Sequence, residues 1–234
     1  MYIDPNTNAA ASIALNLRSL FEKCINASYI ELNGSASCAS AFNNGNLELF
    51  FESSNGAEDW LNNLNFFSTP YKDMSPEWQV HRGFLNVWGY AKPYVKEKLD
   101  GLPLRSVTII GYSHGAAIAL LCHEFIWYNY PQHRANLQSF GFGCPKVLKS
   151  GNTIDMIKDR WDTFFRVSNL DDFVTHLPPE SLGFTHVGHL VEIGEKGRYS
   201  CYDCPDLKAH HPSSYLQVLT ELAERRAKSG ITLE

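Results

Sequence analysis

Val107-Thr108-Ile109-Ile110-Gly111-Tyr112-Ser113-His114-Gly115 lies near the middle of the 234-residue chain and runs directly into Ala116 to Trp127. The four residues before Gly111 are all β-branched and predict a strand. The run after Gly115 predicts a helix. A Gly-x-Ser-x-Gly between a strand and a helix is the nucleophile-elbow pattern, in which two small residues permit a turn so tight that the Ser hydroxyl stands above the sheet. Gly115 lets the helix approach the strand, and the helix N-terminus brings free amide N–H groups and positive dipole to the side of Ser113. The pentapeptide alone reads equally well as a Gly-rich turn; the strand before it and the helix after it select the chemical reading.

Outward from this stretch the chain alternates strands and helices. Ile13, Leu17, Leu20 and Phe21 fall at helical spacing within Ala9 to Cys24, and Val87, Trp88, Ala91 and Val95 do so within Phe84 to Leu99, where Gly101-Leu102-Pro103 supplies the stop. Leu47 to Phe51, Leu137 to Phe142 and Thr163 to Val167 read as strands, and Ser214 to Arg226 as a final helix. Strands alternating with helices point to an α/β fold with a mostly parallel central sheet flanked by helices. No repeat, low-complexity tract or linker divides the sequence, so residues 1–234 are expected to form a single domain.

A serine nucleophile needs a base within hydrogen-bond reach and a carboxylate to orient that base, and this fold type supplies them in the order Ser, Asp, His. After the strand ending at Val167 comes Ser168-Asn169-Leu170-Asp171-Asp172, which puts an acid at a strand's C-terminal end, where sites in open α/β sheets lie. Asp172 and Asp171 both qualify. For the base, His210 and His211 stand in Lys208-Ala209-His210-His211-Pro212, just before the final helix. The seven other histidines are read as ordinary surface or core residues.

These segments resemble the class 3 lipases, the fungal-lipase-like branch of the α/β-hydrolase fold. The resemblance covers about Leu47 to Leu219 and includes, besides the elbow, His81-Arg82-Gly83-Phe84, Phe142-Gly143-Cys144-Pro145-Lys146 and Asp172-Phe173-Val174-Thr175-His176-Leu177-Pro178. In that family the acid opens an Asp-x-Val-Pro-x-Leu-Pro segment, which selects Asp172, with Thr175 in place of the usual Pro. The family's His precedes a Tyr at the start of the last helix, which fits His210 with Tyr215 and leaves His211 as second choice. The resemblance implies a serine carboxylic-ester hydrolase, lipase or esterase, with Ser113, Asp172 and His210 as a triad, acting on acylglycerols or similar lipid esters and needing no cofactor. The oxyanion donors it implies are the backbone N–H of His114 and Ser54, the latter by counting back from Asp59-Trp60. Glu52 and Ser53 depart from the family's Arg-Gly there, and Glu52 is read as solvated or paired with Arg82. Residues 56–67 stand where the family carries a lid, and Trp60, Leu61, Leu64, Phe66 and Phe67 supply either its apolar face, for transient contact with a lipid interface, or core packing.

Composition closes off other classes. Hydrophobic residues make up 44%, charged residues 19%, and the net charge is -5, an ordinary globular balance with no basic field for nucleic acid. No apolar stretch approaches the roughly 18–20 residues that span a bilayer. Met1-Tyr2-Ile3-Asp4-Pro5 opens neither a basic start nor an apolar run, so a cytoplasmic location with reduced cysteines is expected. Cys201-x-x-Cys204 near His210 raises zinc or a redox pair as alternatives to two ordinary cysteines. The competing functional classes are a binding module on an inactive hydrolase fold and an acyltransferase that uses the same triad.

Overall fold

The computed structural model describes residues 8–32, 36–52, 66–73, 78–149, 158–198 and 207–229. Among these residues seven strands form the main sheet: β1 (Ile30–Leu32), β2 (Ala36–Asn43), β3 (Asn46–Glu52), β6 (Ser106–Tyr112), β7 (Leu137–Phe142), β9 (Phe164–Asn169) and β11 (His189–Ile193), side by side in that order. From β3 to β11 every neighbour is parallel, while β1 and β2 extend the sheet antiparallel. A smaller antiparallel sheet joins β4 (Ser68–Tyr71), β5 (Trp78–His81), β8 (Leu148–Lys149) and β10 (Phe184–Thr185). This is the α/β-hydrolase architecture expected from the sequence; β1, β2 and the small sheet are additions to that reading.

The α-helices among the described residues are α1 (Asn8–Ile25), α2 (Arg82–Gly101), α3 (His114–Asn129) and α4 (Pro212–Ser229). Successive side chains of a strand leave opposite faces of a sheet, and the main sheet is apolar on both. Leu49, Phe51 and Ile109 join the α2 residues Trp88 and Val95 and the inner residues of α3 in one core. Phe50, Ile110 and Val167 face the other way and pack with Phe21 of α1 and Tyr215, Val218 and Leu219 of α4. Helix α3 is buried all round from His114 to Ile126, because it lies between the sheet and α2. That explains a helical run with no polar face.

Two polar residues of α3 fix its position. His123 sits between Ser139 Oγ, 2.7 Å from Nδ1, and the Arg160 carbonyl, 2.8 Å from Nε2. A carbonyl only accepts, so Nε2 carries the proton and Nδ1 accepts from Ser139. Burial pushes the pKa of His123 down to about 4, keeping it neutral. Next to it, Glu124 Oε1 takes a hydrogen bond from Arg160 Nη1 at 2.7 Å, and the guanidinium also lies 5.0–5.4 Å from the ring centres of Trp78, Trp127 and Tyr128. Burial raises the Glu124 carboxyl to about 7, against the pull of Arg160. The pair ties the turn Lys158–Trp161 to the helix that carries the elbow.

Removing one member of a buried ion pair strands the other charge. Arg160→Met is therefore expected to cost about 3–5 kcal/mol of stability in urea unfolding, with Glu124→Gln added to it restoring most of that loss.

Candidate active site

Ser113 follows β6 and caps α3 with φ 56° and ψ -124°, a conformation that costs a non-glycine residue on the order of 1–3 kcal/mol. Its surroundings hold it there. The Ser113 N–H donates to the Phe142 carbonyl at 2.9 Å, and the Ala116 N–H donates to the Ser113 carbonyl at 3.0 Å. A Cβ on Gly111 would collide with the backbone of Gly115 and Ala116, and one on Gly115 with the carbonyl of Phe51. Strand β3, strand β6 and helix α3 thus meet at a distance that only bare backbone allows.

His210 occupies the turn before α4. Its Nε2 lies 2.7 Å from Ser113 Oγ and its Nδ1 2.8 Å from Asp172 Oδ2. An ionised carboxylate only accepts, so Nδ1 holds the proton and Nε2 is left to accept from the serine hydroxyl. Asp172 caps the turn Phe173–His176: its Oδ1 accepts the Val174 N–H at 2.9 Å, and its Oδ2 also accepts the Tyr215 hydroxyl at 2.5 Å. Asp172 is 0% exposed and Ser113 and His210 are each 2% exposed, so these bonds form away from bulk water.

A further layer of side chains orients this row. The Tyr215 oxygen accepts the Asn169 N–H at 3.2 Å, and Asn169 Nδ2 donates to the Ala209 carbonyl at 3.0 Å. Tyr112 donates to the His210 carbonyl at 2.5 Å, and its ring stacks on the imidazole with centres 5.2 Å apart. Burial first, and then the charge of Asp172, push both tyrosine hydroxyls well above their ordinary pKa, which keeps them donors. Gly143, at φ 58°, leaves the space the pair needs: a Cβ there would stand 2.7 Å from His210 Cε1 and 3.0 Å from Asp172 Oδ2.

The two neighbouring candidates point elsewhere. Asp171 Oδ1 accepts the Gly197 N–H at 2.9 Å, and the exposed His211 ring bonds Ser213 Oγ at 2.8 Å. His114 is the first residue of α3, where backbone N–H groups lack intrahelical acceptors. Its ring lies edge-on to Phe84, and burial, followed by the proximity of His81, lowers its pKa to about 4. Glu52 is half-buried at the end of β3 and its carboxyl is raised by desolvation, while Arg82 lies over the Phe67 ring at 5.0 Å. Ser54, most of the 56–67 segment, and Cys201 with Cys204 lie outside the described residues. Sequence reasoning missed Tyr112, Asn169 and the space left by Gly143; only the tyrosine inside the elbow carried a readable signal, by its position.

The sequence profile of the family Lipase (class 3) matches residues 49–182, more than half of the chain. The chain belongs to the class 3 lipase family. Among relatives, it is 26% identical to a lipase of Rhizomucor miehei over 189 residues, which cover 78% of this chain and 52% of that one. It is 30% identical over 108 residues, 46% of this chain and 34% of the other, to a secreted mono- and diacylglycerol lipase of Malassezia globosa. This member of the family therefore spans about half of the first relative's length and a third of the second's. Its fold is shared with a solved triacylglycerol lipase described as having a serine-protease triad at its catalytic centre, at a TM-score of 0.67 and 20% identity, covering 89% of this chain and 94% of that one.

Tyr215→Phe would leave the Asn169 N–H without its acceptor and take one donor from Asp172. Urea unfolding is expected to show a loss of about 1–3 kcal/mol, as for other buried groups that lose a partner.

Proposed function

We propose that the chain hydrolyses carboxylic esters, acylglycerols or similar lipid esters, through Ser113, His210 and Asp172. The observation that supports this most directly is the imidazole of His210 bridging Ser113 Oγ and Asp172 Oδ2 at 2.7 and 2.8 Å. On this reading Ser113 Oγ attacks the ester carbonyl carbon while its proton passes to His210 Nε2. The imidazolium formed is stabilised by Asp172 through Nδ1–H. The tetrahedral oxyanion accepts hydrogen bonds from the His114 backbone N–H and from Ser54, donors of a kind worth roughly 3–4 kcal/mol each. His210 then returns the proton to the departing alkoxide, leaving an acyl-serine. Water, deprotonated by the same imidazole, attacks the acyl carbon, releases the carboxylic acid and restores Ser113.

A further part of this reading is that residues 56–67 serve as a lid that moves at a lipid surface to admit substrate. No described helix is long and apolar enough to cross a membrane. In place of a cytoplasmic location we propose secretion, by analogy with the relative named as secreted. Cys24, Cys38 and Cys144 are free, and burial holds their thiols at about 12, so little reactive thiolate is present even in an oxidising compartment.

The test is hydrolysis of a short-chain and a long-chain chromogenic ester. Ser113→Ala and His210→Ala are expected to lower kcat by about ten-thousand-fold with an unchanged circular dichroism spectrum, while His211→Ala stays within a few-fold of wild type. A folded wild type inactive on both esters, or a Ser113→Ala variant that keeps the rate, would overturn the reading.

A further inference from the structure

Phe21 of α1 is 0% exposed and packs against three other rings. Its ring centre lies 5.4 Å from that of Tyr112, 4.7 Å from that of Phe142 and 5.6 Å from that of Tyr215. The Tyr112 contact is edge-to-face, with the planes at 75°. Tyr215 also stands edge-on to Tyr112 at 6.2 Å and to Phe142 at 6.4 Å, so the four rings form one cluster drawn from β6, β7, α1 and α4.

Each ring around Phe21 supports a different member of the row Ser113, His210, Asp172. The Phe142 carbonyl accepts the Ser113 N–H at 2.9 Å. Tyr112 donates to the His210 carbonyl and stacks on the imidazole. Tyr215 donates to Asp172 Oδ2. Phe21 therefore stands one contact behind every member of the row. Nothing covalent keeps those members together: Ser113 and His210 are 97 residues apart in the chain, and Asp172 and His210 are 38 apart. Their separations of 2.7 and 2.8 Å are held by packing and hydrogen bonds alone.

A phenyl ring suits such a place. It is flat and stiff, and the opposite charge of its edge and its face gives ring contacts a preferred tilt. An aliphatic side chain of smaller volume would leave a void that a close-packed interior closes only in part, and the three neighbouring rings would gain room to turn. We propose that Phe21 is a positioning residue: it keeps Tyr112, Phe142 and Tyr215 in one frame and through them sets the reach of His210 to Ser113 and Asp172. Its effect on rate rests on the triad reading, while the geometry it sets is measurable without turnover. A role in core filling alone would cost stability and leave both the imidazole and the turnover of the folded chain unchanged.

The experiment compares Phe21→Leu with Val95→Ala in the full chain, Val95 being an equally buried residue of α2 in the core on the other face of the sheet. On the short-chain chromogenic ester, well below the melting temperature of each variant, Phe21→Leu is expected to lower kcat by about tenfold with KM within about twofold, the pattern of a loss felt in the transition state and not in substrate binding. Val95→Ala should leave both constants near wild type. Nitrogen NMR of histidine-labelled protein gives the second readout, with the His210 ring identified by the signals lost in His210→Ala. In Phe21→Leu those signals are expected to move toward the average of the two tautomers, because a looser bond to Asp172 no longer keeps the proton on Nδ1; in Val95→Ala they should stay in place. Thermal unfolding reports whether each variant is folded, and Phe21→Met, closer in volume, carries the test if Phe21→Leu is not. His210 signals that do not move in a folded Phe21 variant, a kcat that stays at the value of an active wild type, or equal effects in Val95→Ala each overturn the inference. A wild type that hydrolyses neither ester, with His210 signals that still respond to Phe21→Leu alone, overturns the hydrolase reading and leaves Phe21 as the residue that places the imidazole.

Discussion

The backbone of Ser113 holds its positive φ because two neighbouring residues have no side chains. With Gly111 and Gly115 bare, β3, β6 and α3 approach until backbone touches backbone, and the strained residue between strand and helix has nowhere to relax. The compact elbow in turn puts Ser113 at the N-terminus of a helix buried all round. That burial is what the His123–Ser139 bond and the Glu124–Arg160 pair secure from the far side. The conformation of one serine thus reaches the core through a helix that has only one way to lie.

Around the serine, the chemistry is ordered by donors converging on one carboxylate. Asp172 is fully buried, so its charge is tolerable only with strong partners. Val174, Tyr215 and His210 supply them from three directions, and the two tyrosines, held protonated by burial, fix both ends of the imidazole turn. The space for this arrangement is negative as well as positive: Gly143 contributes by occupying nothing where the His–Asp pair must fit.

What was legible in the sequence was local. The β-branched run, the two glycines and the apolar helix lie within about twenty consecutive residues, so one window contains the elbow and fixes the fold class. Strand β2 was not legible, because Ala36-Ser37-Cys38-Ala39-Ser40-Ala41 lacks the branched and aromatic residues that mark strands and gains its form from pairing with β3. The residues read as candidates came from motif order, but the difference between Asp171 and Asp172, or His210 and His211, is one of direction within a turn, which adjacent positions in a sequence do not encode.

The hydrogen bond from Tyr215 to Asp172 has a consequence for synthesis on the ribosome. Ser113 is made first, Asp172 next, and His210 and Tyr215 last, on the segment that packs against α1 near the start of the chain. Chains emerge from their N-terminus at roughly 5–20 residues per second, so for several seconds the elbow exists without its base, and α1 without its principal helical partner. The row Ser113–His210–Asp172 therefore closes only after α4 has left the ribosome, so the order of synthesis sets when the geometry of the site is complete.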